Sequence, residues 1–379
     1  MPIKSILRYT VFISVNLFLL YLAHSFIFNT TFKYLEITDP EIKTVIIILM
    51  SGLSFLFVIS IITSHIYYNL LIRITYYLSA VWLGTFLNLL FFFLLNRLII
   101  AVSQVINIAI DYRVLHIVVL IVCLSYSVYA IISGKLLKLK KIRVEINKLP
   151  EYWINKKAVL ITDVHLGAIY GNVYLRKLVS KINSLSPDII IIAGDLFDGS
   201  KGDNKAFIQL LNKLKSEHGV IFVMGNHESY MNPEKLNDIT SQLNFNILNN
   251  KMLNINGLQF VGINPYTKDR KQGLINISKE LDKNFPAILI NHEPLNISYA
   301  KSIGADLMLS GHTHQGQFFP FSFFTGLIYK KYHYGHNIEE NFQTYTSSGA
   351  GTWGPPMRSF SSSEVVLIEL DLNHHIHKE

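Results

Sequence analysis

The sequence predicts a multi-pass α-helical membrane region followed by an α/β domain, and three observations carry that reading. Residues 1–133 hold four apolar stretches of 18 or more residues each. From about residue 151, short apolar runs alternate with segments of helical spacing. Five of those runs end on residues whose side chains ligate metals. Half of the 379 residues are hydrophobic, and the excess sits in the first third of the chain.

The four stretches cover about 6–28, 45–62, 74–95 and 114–132. Each is long enough for a ~30 Å hydrocarbon core at a rise of about 1.5 Å per residue. Buried helices of a soluble domain do not explain them, because four in succession leave no polar face for water. A signal peptide does not either: the first stretch is long, lacks a small-residue cleavage site and is followed by three more. Residues 98–110 are apolar apart from Ser103, Gln104 and Asn107, too short to span, and read as an interfacial helix or an extension of the third span.

Charge divides the chain the same way. Residues 1–133 carry 7 Lys/Arg and 4 Asp/Glu, residues 134–150 carry 6 and 1, and residues 151–379 carry 21 and 21. The net charges +3, +5 and 0 sum to the overall +8. The C-terminal part is therefore neutral, which argues against a nucleic-acid-binding surface. With the N-terminus inside, nine basic residues fall on the inner segments and four (Lys33, Lys43, Arg97, Arg113) on the outer loops. That asymmetry predicts N-terminus and C-terminal domain on the cytoplasmic side of a cell (inner) membrane. The single cysteine, Cys123, falls in the fourth span, so no intrachain disulfide forms. The basic segment from Gly134 to Arg143 reads as the cytoplasmic stop of the fourth helix and a grip on anionic headgroups. The expected domains are 1–133, a juxtamembrane linker at 134–155, and 156–379.

In the last of these, residues 172–185 and 205–215 have helical spacing between the first three strands, as in right-handed βαβ crossovers. Runs 252–255 and 258–263, joined by Asn256-Gly257, predict a hairpin. Residues 345–347 and 364–371 read as closing strands, giving a parallel core with added antiparallel strands and outer helices.

The chemistry lies at the run ends. Run 158–162 leads into Asp163-x-His165, run 189–193 into Gly194-Asp195-x-x-Asp198, and run 220–224 into Gly225-Asn226-His227-Glu228. Run 287–290 leads into Asn291-His292-Glu293, and run 307–310 into Gly311-His312-x-His314. Open α/β sheets place ligands beyond the carboxyl ends of their strands. Any one Asp or Asn there reads as a helix cap or turn; seven ligand-type residues at five strand ends read as a metal site. Mixed imidazole, carboxylate and amide donors suit Mn²⁺, Fe or Zn²⁺.

This ordered set closely resembles the calcineurin-like metallophosphoesterases, over essentially all of 156–379. Gly316-Gln317 and the segment from Gly349 to Arg358 look like a membrane-linked bacterial branch, some relatives of which act on UDP-2,3-diacylglucosamine. The resemblance implies a four-layer α/β/β/α sandwich and two divalent ions. Asp163, His165, Asp195 and His314 would hold one, and Asp195, Asn226, His292 and His312 the other, with Asp195 bridging. It further implies phosphodiester or pyrophosphate hydrolysis by in-line attack of a water made acidic at the ions. His227 would serve the transition state rather than coordination, with Asp198 orienting it. Glu228 and Glu293 read as supporting residues.

Arg358 and His336 are candidate substrate contacts: Arg358 reads equally as a phosphate contact or an ordinary surface arginine, and His336, with His333, reads as lining a substrate entrance or as part of the turn at Gly335. The aromatic group Phe318, Phe319, Phe321, Phe323 and Phe324 reads equally as core or as a membrane or acyl contact. His24, His65 and His116 lack paired carboxylates, and His374, His375 and His377 form a terminal cluster. A membrane anchor favours a lipid-linked substrate. Soluble nucleotides or glycerophosphodiesters are the alternative. A non-catalytic sensor would be expected to have lost ligands, and spans without acidic residues offer no ion pathway.

Overall fold

The computed structural model describes residues 3–264 and 270–373; His374, His375 and His377 lie outside these residues. The chain forms two compact units, one of residues 1–60 and 78–129, the other of 61–77 and 130–379.

Four helices run through the N-terminal third: α1 (Ile3–Tyr34), α2 (Pro40–Ile66), α3 (Leu70–Val105) and α4 (Tyr112–Lys135). All four are long and apolar enough to cross a membrane. Asp39 caps α2 by accepting from the backbone N–H of Glu41 and Ile42, and Asp111 caps α4 through Arg113 and Val114. Inside the first unit Ile27, Phe86, Phe93 and Cys123 are buried together, while Phe18, Ile48, Leu49 and Phe55 face outward. Several of its polar groups turn inward and pair. Ser54 Oγ accepts from Trp82 Nε1 at 2.9 Å and lies 3.0 Å from His24 Nε2, and Asn88 donates to Ser127 at 2.9 Å. Apolar outside and polar inside is the arrangement a lipid solvent selects. Of the two readings of 98–110, the extension holds up to Val105, where α3 ends.

The second unit continues with β1 (Leu137–Ile146), β2 (Lys157–Ile161), α5 (Asn172–Asn183), β3 (Ile189–Ala193), α6 (Asn204–Leu211) and β4 (Val220–Val223). Next come α7 (Asn226–Tyr230), α8 (Pro233–Ser241), β5 (Phe245–Ile247), β6 (Lys251–Ile255), β7 (Leu258–Ile263) and α9 (Arg270–Glu280). The chain closes with β8 (Ala287–Asn291), α10 (Ile297–Ser302), β9 (Leu307–Ser310), α11 (Phe321–Tyr329), β10 (Gly335–Glu339), β11 (Phe342–Thr346) and β12 (Ser363–Leu372).

Two six-stranded sheets result, ordered β1-β12-β2-β3-β4-β5 and β10-β11-β9-β8-β7-β6. Strands β2 to β5 are parallel, as are β7, β8, β9 and β11; β12 runs antiparallel to β2, β6 to β7 and β10 to β11. Three apolar cores bind the layers. Leu175, Leu178, Ile182, Phe207 and Leu211 of α5 and α6 pack on one face of the first sheet. Leu160, Ile191, Val223, Phe260, Ile290 and Leu309 fill the space between the sheets. Leu289 and Met308 meet Ile277 and Ala300 on the outer face of the second. This is a four-layer α/β/β/α sandwich.

The structure corrects the expected linker at 134–155. Residues Leu137–Ile146 form a ten-residue edge strand, in parallel register with β12 from Leu137↔Ser363 to Ile146↔Leu372. Its burial explains the misleading composition: Lys138, Lys140 and Lys141 are exposed, while Val144 and Ile146 enter the core between the sheets. Lysines on an edge strand oppose further strand addition.

Candidate metal centre

The topology brings the carboxyl ends of β2, β3, β4, β8 and β9 to one side of the sandwich. Asp163 and His165 follow β2, Asp195 and Asp198 follow β3, and Asn226 and His227 open α7 after β4. His292 follows β8, and His312 and His314 follow β9. Five of these residues, Asp163, His165, Asp195, His312 and His314, have φ between 50° and 70°. Non-glycine residues held in the left-handed region cost of order 1–3 kcal/mol each, and such strain gathers at functional sites.

The side chains converge in two linked groups. The Nε2 atoms of His165 and His314 are 3.2 Å apart, and they lie 4.0 and 3.4 Å from Asp163 Oδ1. Asp195 Oδ2 is 3.9 Å from His165 Nε2 and 3.1 Å from His292 Nε2, so one carboxylate faces both groups. In the second group the His312 and His292 rings meet edge to face at 5.2 Å, and Asn226 Oδ1 lies 3.0 Å from His312 Nδ1. All seven residues proposed as ligands therefore surround one small volume.

Its electrostatics fit cations. Asp163, His165, Asp195 and His292 are each at most 2 % exposed. Burial raises Asp163 to about 6 and lowers His165 to about 3. Burial would also depress His292, but the carboxylates of Asp195 and Asp163 outweigh it and raise His292 to about 10. His292 Nδ1 sits 2.8 Å from the Ala193 carbonyl, so a proton there aims Nε2 inward. Its Nε2 has no aligned hydrogen-bond partner. Buried carboxylates facing unpartnered imidazole nitrogens are a donor set for divalent ions, at ligand distances of about 2.0–2.2 Å.

Around this set stand residues that fix it. Glu228 is fully buried and accepts from the backbone N–H of Asp195 (3.0 Å), Phe197 (2.9 Å) and Gly225 (2.7 Å). Burial, with Asp195 nearby, raises it to about 7. The His227 N–H donates to Asp195 Oδ1 at 2.9 Å. Its Nδ1 lies 3.0 Å from the carbonyl of Asp198, whose carboxylate is 3.8 Å away and accepts from Ser200 instead. Asp198 thus orients His227 through its backbone, not through the side chain expected to do so. Trp353, 59 % exposed, and Tyr230, 73 % exposed, flank His227 with ring centroids at 6.3 and 5.8 Å.

The two candidate substrate contacts have other partners. Arg358 is fully buried, and its guanidinium donates to the carbonyls of Ser348 (2.6 Å), Gly351 (2.7 Å) and His314 (3.2 Å). It ties the loop of His314 to the loop after β11, its terminal N–H groups taken up by backbone carbonyls and Ser361 rather than by a phosphate. His336 sits on β10 against Gln343 at 2.9 Å, on an outer strand of the second sheet. Glu293 Oε1 accepts from Tyr329 at 3.1 Å and lies 3.8 Å from His312 Nε2. Sequence reasoning passed over Tyr329, which carries no motif, and gave Trp353 no role beyond its place in the Gly349–Arg358 segment. It also passed over Arg73, from the start of α3, whose Nε donates to the Ala168 carbonyl at 3.1 Å.

Comparison with known proteins agrees with this geometry. Residues 156–316 match the calcineurin-like phosphoesterase family. An uncharacterized metallophosphoesterase of Campylobacter jejuni is 36% identical over 66% of this chain and 68% of its own length. One of Helicobacter pylori is 36% identical over 62% of this chain, which spans 64% of that relative. A transmembrane protein with metallophosphoesterase domain from Danio rerio is 28% identical over 66% of this chain and 61% of its own length. The chain belongs to the calcineurin-like metallophosphoesterase family.

Proposed function

We propose that the protein is a membrane-anchored, metal-dependent phosphohydrolase that cleaves a phosphodiester or pyrophosphate bond in a lipid-linked substrate at the cytoplasmic face of the inner membrane. The observation that carries the hydrolase reading is the shared position of Asp195, whose Oδ2 faces both histidine groups. Two divalent ions held there would supply Lewis-acid charge to the phosphoryl oxygens and acidify a water. The chain's own residues do the rest. Asp195, clamped by His227 and Glu228, fixes the separation of the two halves. His227, anchored at Nδ1 by the Asp198 carbonyl and with its ring 4.6 Å from that of His165, stabilises charge on phosphorus oxygens or protonates the leaving oxygen.

The lipid-linked reading rests on the four spans and on the site's margin, where exposed Trp353 and Tyr230 would stack on or line an apolar group. The test is a panel assay on the full chain in nanodiscs: an aryl phosphodiester, a phosphodiester phospholipid, a UDP-linked diacylated sugar and a soluble glycerophosphodiester. The proposal expects turnover of the aryl compound and a higher kcat/KM for a lipid-linked member than for the soluble one. Preference for the soluble diester would overturn the lipid reading, and no turnover of any member would overturn the hydrolase reading.

A further inference from the structure

Helix α11 contains no buried residue. Phe323, Phe324, Leu327 and Ile328 expose 61, 51, 61 and 67 % of their surface, and nearby Phe360 exposes 73 %. Five large apolar side chains in one surface region mark an interaction site rather than ordinary surface scatter. What covers them follows from their neighbours. Phe319, two residues before α11, meets the Phe360 ring at 6.5 Å, and its N–H donates to Ser359 Oγ at 3.2 Å. The adjoining Arg358 N–H donates to the Ala130 carbonyl at 2.8 Å, and Ser363 Oγ lies 3.5 Å from the Gly134 carbonyl. Ala130 and Gly134 belong to the last turns of α4, a helix long and apolar enough to span a membrane. The apolar patch is therefore tied to the end of a span. The charges at the two helix ends have the sign a bilayer surface requires: Lys135 ends α4, Lys138, Lys140 and Lys141 follow it on β1, Lys330 follows α11, and all are exposed.

We infer that α11, together with Phe360, is an interfacial membrane helix. It lies in the headgroup–acyl boundary of the leaflet from which α4 emerges, while the lysines meet anionic headgroups. The last residue of α11 also reaches the metal centre. Tyr329, the last residue of α11, donates to Glu293, and its ring stands 6.2 Å from that of His312. The inference deepens the lipid reading of the proposed function, but its test requires no turnover.

The experiment uses the full chain with Cys123→Ala, reconstituted in vesicles of phosphatidylethanolamine and phosphatidylglycerol. A single cysteine replaces Phe324 and carries an environment-sensitive fluorophore. Lys215→Cys, in the loop before β4 at the opposite end of the strands, is the aqueous reference, and Leu327→Cys repeats the measurement should Phe324→Cys fold poorly. Insertion to about 5–10 Å predicts that lipids spin-labelled high on the acyl chain quench positions 324 and 327 at least about twofold more than 215, and that iodide quenches them about threefold less. Iodide quenching equal to that at 215 would overturn the inference. Shielding from both quenchers would overturn it too, since a protein surface would then cover α11.

Discussion

Replacing Gly225 with alanine tests how tightly the sheet end is built around Asp195. Gly225 has φ −103° and ψ −167°, ordinary extended backbone, so the substitution introduces no backbone strain. Its effect is steric. The added Cβ would stand 2.6 Å from Asp195 N and 2.9 Å from Asp195 Cγ, with Oδ1 nearer still. Carbon contacts settle at about 3.5 Å, so one of the two must shift by roughly 0.6–1 Å. Asp195 has little freedom to move elsewhere, being 2 % exposed with Oδ1 held by His227 and its N–H by Glu228. A misplacement of about 1 Å in a positioning group costs on the order of 100-fold, or ~2.7 kcal/mol of barrier. The assay is kcat/KM for an aryl phosphodiester, with metal content measured on the same preparation. Gly52→Ala in α2, where a Cβ meets nothing within 4 Å, is the control and should leave both unchanged. A Gly225→Ala enzyme within about threefold of wild type and fully loaded with metal would refute the reasoning.

Three further substitutions have definite outcomes. Glu228→Ala strips the acceptor from three backbone N–H groups at about 1–3 kcal/mol each, and should lower both thermal stability and metal affinity; a change in neither contradicts its positioning role. Arg358→Met orphans the buried carbonyls of Ser348 and Gly351 and takes one of two donors from that of His314, at a cost of ~3–5 kcal/mol, a fall in Tm of about 10 °C, whereas an unchanged Tm with raised KM would restore the phosphate-binding role. Asp306, which accepts from the Ala287 N–H at 2.9 Å, is raised to about 6 by burial. Its raised pKa favours the folded state fully below about pH 4, and that contribution of up to ~3 kcal/mol is lost as pH rises through about 6. Asp306→Asn should therefore gain stability relative to wild type between pH 4 and 7 in chemical denaturation, and parallel pH curves would contradict this.

Much of this molecule was legible because its signals are local. The apolar runs fix β2, β3, β4, β8 and β9, since buried parallel strands read as continuous apolar segments. Asn256-Gly257 marks the β6–β7 hairpin. What stayed hidden depends on distant pairing. Strand β1 reads as a basic tether because its partner, β12, lies more than 200 residues away, and an edge strand tolerates charge along its outer side. Arg358 reads as a phosphate contact or a surface arginine because its acceptors are backbone carbonyls, which no side-chain pattern announces. The left-handed φ of Asp163, His165, Asp195, His312 and His314 is likewise absent from the sequence, as only glycine and asparagine advertise it. The aromatic group after His314 divides in the structure: Phe318 is buried, while Phe323 and Phe324 are exposed, a distinction that composition does not contain.

The central claim is that one carboxylate serves two metal ions. Its most direct test is the metal stoichiometry of purified wild-type and Asp195→Asn protein by elemental analysis, with aryl phosphodiester hydrolysis followed on the same samples. An amide offers one neutral oxygen where Asp195 offers two charged ones. The account predicts two divalent ions per chain in wild type, and loss of at least one with abolished hydrolysis in Asp195→Asn, the protein remaining membrane-inserted. Two ions retained with undiminished hydrolysis in the variant would contradict it.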